Sequence, residues 1–197
     1  MLNANFVILG LIINFFGNIS YIRDTLQGKI KPNRVTFFLM PFAAFLAFAA
    51  EIKQGVGIES WIAFMSGLLP LTIFVASFVN KNAYWKIRAF DIYCGLLSFI
   101  GLLLWYITSV GNIAIMFGII ADGLALLPTI KKAWTNPETE SAYPWLASSI
   151  AAIIALLSIQ TWNFQTYAFP VYLILANSIV FLLVKYKIGK HIDYKKN

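Results

Sequence analysis

The group in this 197-residue chain that most needs a physical explanation is a carboxylic acid, Asp122, set inside the apolar stretch NIAIMFGIIADGLALLPTI. At hydrocarbon depth an ionisable side chain costs at least a few kcal/mol unless it faces a wet cavity, finds a partner or takes up a proton. Such surroundings favour the neutral acid, so both substrate binding and proton coupling are roles that Asp122 can fill. The plainer alternative is an acid that fastens two helices together. Three amides stand in comparable settings. Asn14 and Asn18 are one helical turn apart and share a face, and Asn177 lies within LILANSIV. They are candidates to bind a polar solute, or to hydrogen-bond between helices. Trp145 opens a further apolar block, where it either lines a cavity or joins an interfacial aromatic belt. Prolines inside apolar blocks or at their mouths remove backbone hydrogen bonds and can kink a helix, which makes Pro41, Pro128 and Pro144 candidate hinges.

Other chemistries lack their residues. The single histidine, His191, sits in the polar carboxyl-terminal tail, so there is no Ser, His and Asp set and no metal-ligand cluster, and no glycine loop suits a phosphate. No enzyme activity, cofactor or metal is expected. The one cysteine, Cys94, excludes an intrachain disulfide. A retinal protein would need a lysine deep in the last apolar block, whereas Lys185 is at its end.

The elements that must position these groups follow from composition. The chain is 60% hydrophobic and 12% charged, about half the usual charged share of a soluble domain. Its apolar residues fall into seven blocks, each long enough to cross roughly 30 Å of hydrocarbon as a helix. They are about 5–22, 35–52, 58–79, 89–107, 112–130, 143–159 and 166–184. Runs such as LLSFIGLLLW lack the alternation of a membrane barrel strand, so the fold class is an all-α membrane protein. No cleaved signal peptide is expected, because Met1 to Phe6 carry no cation and no small-residue cleavage pattern follows the first block.

The cations orient the bundle. The first, third and fifth loops and the tail hold fourteen of the fifteen Lys and Arg residues, and only Lys53 lies in an even loop. That asymmetry predicts an outside amino terminus and a cytoplasmic carboxyl terminus, in a plasma or inner membrane. It also explains the net charge of +7 without a nucleic-acid partner. Trp61, Trp85, Trp105, Trp134 and Trp162 fall near block ends, as interfacial indoles do. Glu51 and Glu59 flank the second loop and are expected in outside water.

A weak internal repeat relates the halves at an offset of about 107 residues, with GNISYIRDTLQGKIKPNRVTFF matching GLALLPTIKKAWTNPETESAYPW. Three spans, one left over and three more give two triplets of equal orientation. The boundaries are 1–82 for the first triplet, 83–111 for the linker, 112–185 for the second triplet and 186–197 for the basic tail. On these residues, with Leu127-Pro128-Thr129, Lys131-Lys132, Ser141 and Trp145 in the second half and Lys31-Pro32-Asn33-Arg34-Val35-Thr36 in the first, the chain resembles the PQ-loop and SWEET-like superfamily. Threonine stands where that family often has glutamine after the proline, and Tyr21 stands where the first-half proline would be.

The resemblance implies two parallel triple-helix bundles joined by a linker helix, with a central site at mid-depth and hinge roles for Pro41, Pro128 and Pro144. It also implies that Asn177 resembles the asparagine of the SWEET pocket. The expected function is movement of a small solute, such as a sugar or amino acid, by alternating access, with proton coupling through Asp122 as one option. The expected partners are that solute and the lipid bilayer. Two triplets in one chain can form a complete unit alone, and association into a homo-oligomer is left open. A receptor resembling the KDEL receptor is the alternative, and a membrane scaffold in which polar groups only join helices is a third.

Overall fold

The computed structural model describes residues 6–53, 60–108 and 111–194. These residues form eight α-helices: α1 Phe6–Leu26, α2 Arg34–Lys53, α3 Ser60–Ala76, α4 Ala89–Thr108, α5 Gly111–Thr135, α6 Tyr143–Ser158, α7 Phe164–Tyr186 and α8 Ile188–Tyr194. Two short 3-10 turns, Lys81–Ala83 and Pro137–Thr139, lie in the connections, and no strand occurs among the described residues. Three helices, α1, α4 and α7, are long and apolar enough to cross a membrane, and α2, α3 and α6 contain shorter apolar segments. Glu59, Lys195 and Lys196 lie outside the described residues, as do the side chains of Glu51 and Lys53.

Each helix stops for a local reason. The first runs four residues past the expected Ile22, because nothing before Gly28 opposes continuation. There Lys29 N–H donates to the Asp24 carbonyl and Gly28 N–H to the Thr25 carbonyl, both at 2.9 Å, with Gly28 left-handed at φ 70°. This is the double closure that glycine permits at a helix end. Asn80 completes it from the segment after α3 by donating to the Leu26 carbonyl at 2.9 Å. The second helix starts at Asn33, whose side-chain oxygen accepts from the backbone of Val35 at 3.0 Å and of Thr36 at 3.4 Å. The fifth continues to Thr135, beyond the expected Ile130, and ends just before Pro137. Asn163 and Thr166 close a reciprocal capping box on α7.

The helices pack in a defined set of neighbours. α1 lies along α6 and α3, α2 along α3 and α5, α7 along α5 and α6, and α4 along α5 with a lighter contact to α2. The α1 and α6 backbones approach closely because Gly17 faces Ala147, and a methyl group at position 17 would overlap the Ala147 methyl. Polar side chains join the helices inside. Thr36 donates from α2 to the Ala125 carbonyl of α5 at 2.7 Å, and Thr129 donates to the Thr36 hydroxyl at 3.0 Å.

The interior is largely apolar, but the exterior differs from that of a soluble protein. Asn14, Asn18, Asp122 and Asn177 are buried, while Ile92, Leu96, Phe99 and Leu103 on α4 and Phe16, Leu175 and Ile179 elsewhere are exposed. Such a continuous apolar exterior is unfavourable in water and suits a hydrocarbon solvent.

Candidate functional site

A cavity of about 50 Å³ lies between α1, α2, α3, α6 and α7, with room for a few water molecules as it stands. One wall is α1, which presents Asn14, Asn18 and Tyr21 at spacings of four and three residues, a single helical face. Adjoining it are Pro144, Trp145 and Ser148 of α6, and Asn177 of α7 also lines the cavity. Met40 and Met65 fill much of the remaining boundary, and such unbranched side chains can shift to admit a larger guest. Among the described residues no charged side chain lines the cavity.

Its polar groups form a short network. Asn18 Nδ2 donates to the Asn14 carbonyl at 2.9 Å and to Asn14 Oδ1 at 2.7 Å. Ser148 donates across the helix interface to the same Oδ1 at 3.0 Å. Asn177 uses an amide hydrogen on the Leu173 carbonyl of its own helix at 2.8 Å. Thr72 bonds the Leu68 and Leu69 carbonyls of its own helix and does not line the cavity.

The end nearest the basic loops is closed by aromatic rings. Tyr21 and Phe37 have centroids 5.3 Å apart, and Phe37 and Trp145 6.2 Å apart. Trp145 Nε1 is buried at the cavity floor without a hydrogen-bond partner, and the buried Tyr21 hydroxyl lies beside the Glu140 carboxylate.

The expected set is therefore brought together in part. Asn14, Asn18, Asn177 and Trp145 line one cavity, and Trp145 is buried rather than in an interfacial belt. Asp122 does not join them. It is 3% exposed and accepts a hydrogen bond from the Tyr172 hydroxyl of α7 at 2.7 Å. The reason is helical phase. The repeat offset of about 107 residues aligns Asp122 with Phe15, not with Asn14, and successive helical residues point about 100° apart. Asn14 is 4% exposed on the cavity side, while Phe15 is 42% exposed on the outside.

Pro41 and Pro128 are buried inside α2 and α5. Pro144 lies in the first turn of α6, where its missing N–H interrupts no helical bond, so it starts the helix instead of kinking it. No protein-family model, curated protein or solved structure matches the chain. The site therefore has to be interpreted from its own chemistry.

Tyr21 and Ser148 are cavity residues that the sequence reading did not select. The signal for both was spacing. Tyr21 continues the Asn14 and Asn18 face, and Ser148 is three residues beyond Trp145. Lys132 and Glu140 are a second surprise. Lys132, which had the look of a solvated loop cation, is buried and pairs with Glu140 at 2.5 Å, with both side chains at 0% exposure.

Proposed function

We propose that this chain is a seven-span membrane transporter or facilitator, and that the cavity binds a small uncharged polar solute during alternating access. The observation that carries the reading is the cavity itself. Buried Tyr21, Phe37 and Trp145 close its basic-loop end, a few amides and hydroxyls stand within a mostly apolar wall, and no charged side chain among the described residues lines it. A buried amide network and the unpartnered Trp145 N–H suit a solute rich in hydrogen-bond acceptors, because each new bond offsets the solute's lost hydration.

The helix neighbours support the arrangement of two triplets around a linker. Exchanging α1 with α5, α2 with α6 and α3 with α7 turns the α1–α3 contact into α5–α7, α2–α3 into α6–α7 and α1–α6 into α5–α2. A twofold relation between triplets produces that set of pairs, and the leftover α4 packs outside it. By the charge asymmetry of the loops, the closed end faces the cytoplasm. The likeness to PQ-loop and SWEET-like proteins agrees with this arrangement.

The first helices of the two halves differ in chemistry. Asn14 and Asn18 align with Ala121 and Ala125, so α1 supplies amides where α5 supplies methyl groups. Asp122 is better suited to fastening α5 to α7 through Tyr172 than to carrying a coupled proton. A peptide receptor that captures a terminal carboxylate would call for a cation at the cavity, which the described lining lacks.

The deciding experiment has two stages. A thermal-shift screen of the purified protein against sugars, polyols, amino acids and vitamins should give a stabilising neutral solute, since a ligand of the folded state raises stability by mass action. Uptake of that solute into proteoliposomes should then exceed protein-free leak. Binding without flux would favour the receptor alternative, and neither binding nor flux would favour a scaffold.

A further inference from the structure

Beneath the aromatic floor lies a buried ion pair that the solute site does not use. Lys132 at the end of α5 and Glu140 just before α6 belong to the same half of the chain. Removing both charges from water is costly, and a well-packed apolar pair is often as stable, so stability alone does not account for the arrangement. Its connections suggest what does. The Lys132 ammonium also donates to the Lys31 carbonyl in the first loop at 2.6 Å and to the Thr139 carbonyl at 3.4 Å. Its three hydrogens are thus all engaged. Beside it, Lys31 N–H donates to the Thr139 carbonyl at 2.9 Å. The ammonium therefore ties the first loop, which joins α1 to α2, to the loop joining α5 to α6. Trp85 contributes a ring face 5.6 Å from the ammonium, and Asp91 adds negative charge nearby.

Between this tie and the cavity stands Tyr21. Its ring forms part of the cavity floor and its hydroxyl lies beside the Glu140 carboxylate. We infer that the Lys132–Glu140 pair is the lock of the gate at the basic-loop end, holding the two halves together through the Lys31 carbonyl. Tyr21 is the positioning residue that links the lock to the cavity. A guest that engages the Tyr21 hydroxyl shifts the ring against Glu140, so occupancy bears directly on the lock. This inference rests on the alternating-access reading, and its test is made separable from it.

The measurement is labelling of a single cavity cysteine, Ser148→Cys in a Cys94→Ala background, by a membrane-impermeant methanethiosulfonate reagent applied to the basic-loop face of membranes. In Lys132→Met/Glu140→Gln, which removes both charges together, labelling from that face should rise at least tenfold over the parent. Glu140→Gln alone, which keeps an acceptor of the same shape, should raise it less but in the same direction, and serves if the double variant does not fold. The reversed pair Lys132→Glu/Glu140→Lys keeps opposite charges but sets a carboxylate against the Lys31 carbonyl, so it too should label faster. A purely structural ion pair would be restored by that reversal. Parental labelling in any of these variants, shown to be folded by gel filtration, overturns the lock. Labelling that responds as expected in a protein with no flux for any solute retains the lock and removes only the transport reading.

Discussion

Asn18 donates to the Asn14 side-chain oxygen at 2.7 Å, one turn away on the same face of α1. Ser148 of α6 donates to that oxygen as well, at 3.0 Å. Asn14 is therefore the point where two helices and the cavity meet. Replacing it with leucine removes the shared acceptor and strands the Ser148 hydroxyl, a loss of roughly 1–3 kcal/mol. Asn14→Leu should unfold at lower temperature and lose the ligand-induced thermal shift. A parental shift in the variant would remove Asn14 from the site.

Asp122 and Tyr172 predict the opposite pattern. Asp122→Asn keeps an acceptor for the Tyr172 hydroxyl and should retain fold, binding and flux within about twofold. Asp122→Leu strands that hydroxyl and should cost about 1–3 kcal/mol, with the loss appearing in thermal unfolding rather than in affinity. Measuring uptake from pH 5.5 to 8 distinguishes the roles. An uptake profile that is steep in the parent and flat in Asp122→Asn would restore proton coupling to this residue.

Gly17 should tolerate no side chain. A methyl there overlaps Ala147, so Gly17→Ala should force α1 and α6 apart at a cost of about 1–3 kcal/mol. Gly17→Ala/Ala147→Gly returns the space and should recover most of the loss. Thermal unfolding of the two variants provides the comparison, and an unaffected Gly17→Ala would show that the close approach is not needed.

The short α8 is held by a pair that responds to pH. Lys190 Nζ lies 2.7 Å from Glu138 Oε2, and its hydrogen bond keeps the Glu138 carboxyl below the usual carboxylate range. Because the folded value is the lower one, this contribution is present above the unfolded value of about 4.3 and is lost as pH falls through the folded value. Both groups are about half exposed, so the pair is worth no more than a few tenths of a kcal/mol and weakens in salt. The protection of the α8 amides, taken relative to their intrinsic exchange rate at each pH, should fall modestly at low pH or high salt. Lys190→Ala should show the lower protection at neutral pH and lose little more of it on acidification.

The apolar blocks determined the helices, because hydropathy is summed locally along the chain and seven stretches exceed what a soluble fold exposes. Their polar interruptions also marked Asn14, Asn18 and Asn177 before any packing was known. What the chain alone did not decide is which way each polar residue turns. Asn14 and Asp122 looked equivalent because a repeat matched to within one residue leaves an ambiguity of about 100° on a helix. Packing removed it, with Gly17 against Ala147 fixing the face of α1 and Tyr172 engaging Asp122 away from the cavity. Lys132 and Glu140 show the same limit from the other side. Lys132 counted only as one of the loop cations, and the meeting of two loops far apart in sequence buries it against Glu140. Depth in the bilayer is a local property of sequence, whereas facing and partnership depend on distant residues arriving at the same place.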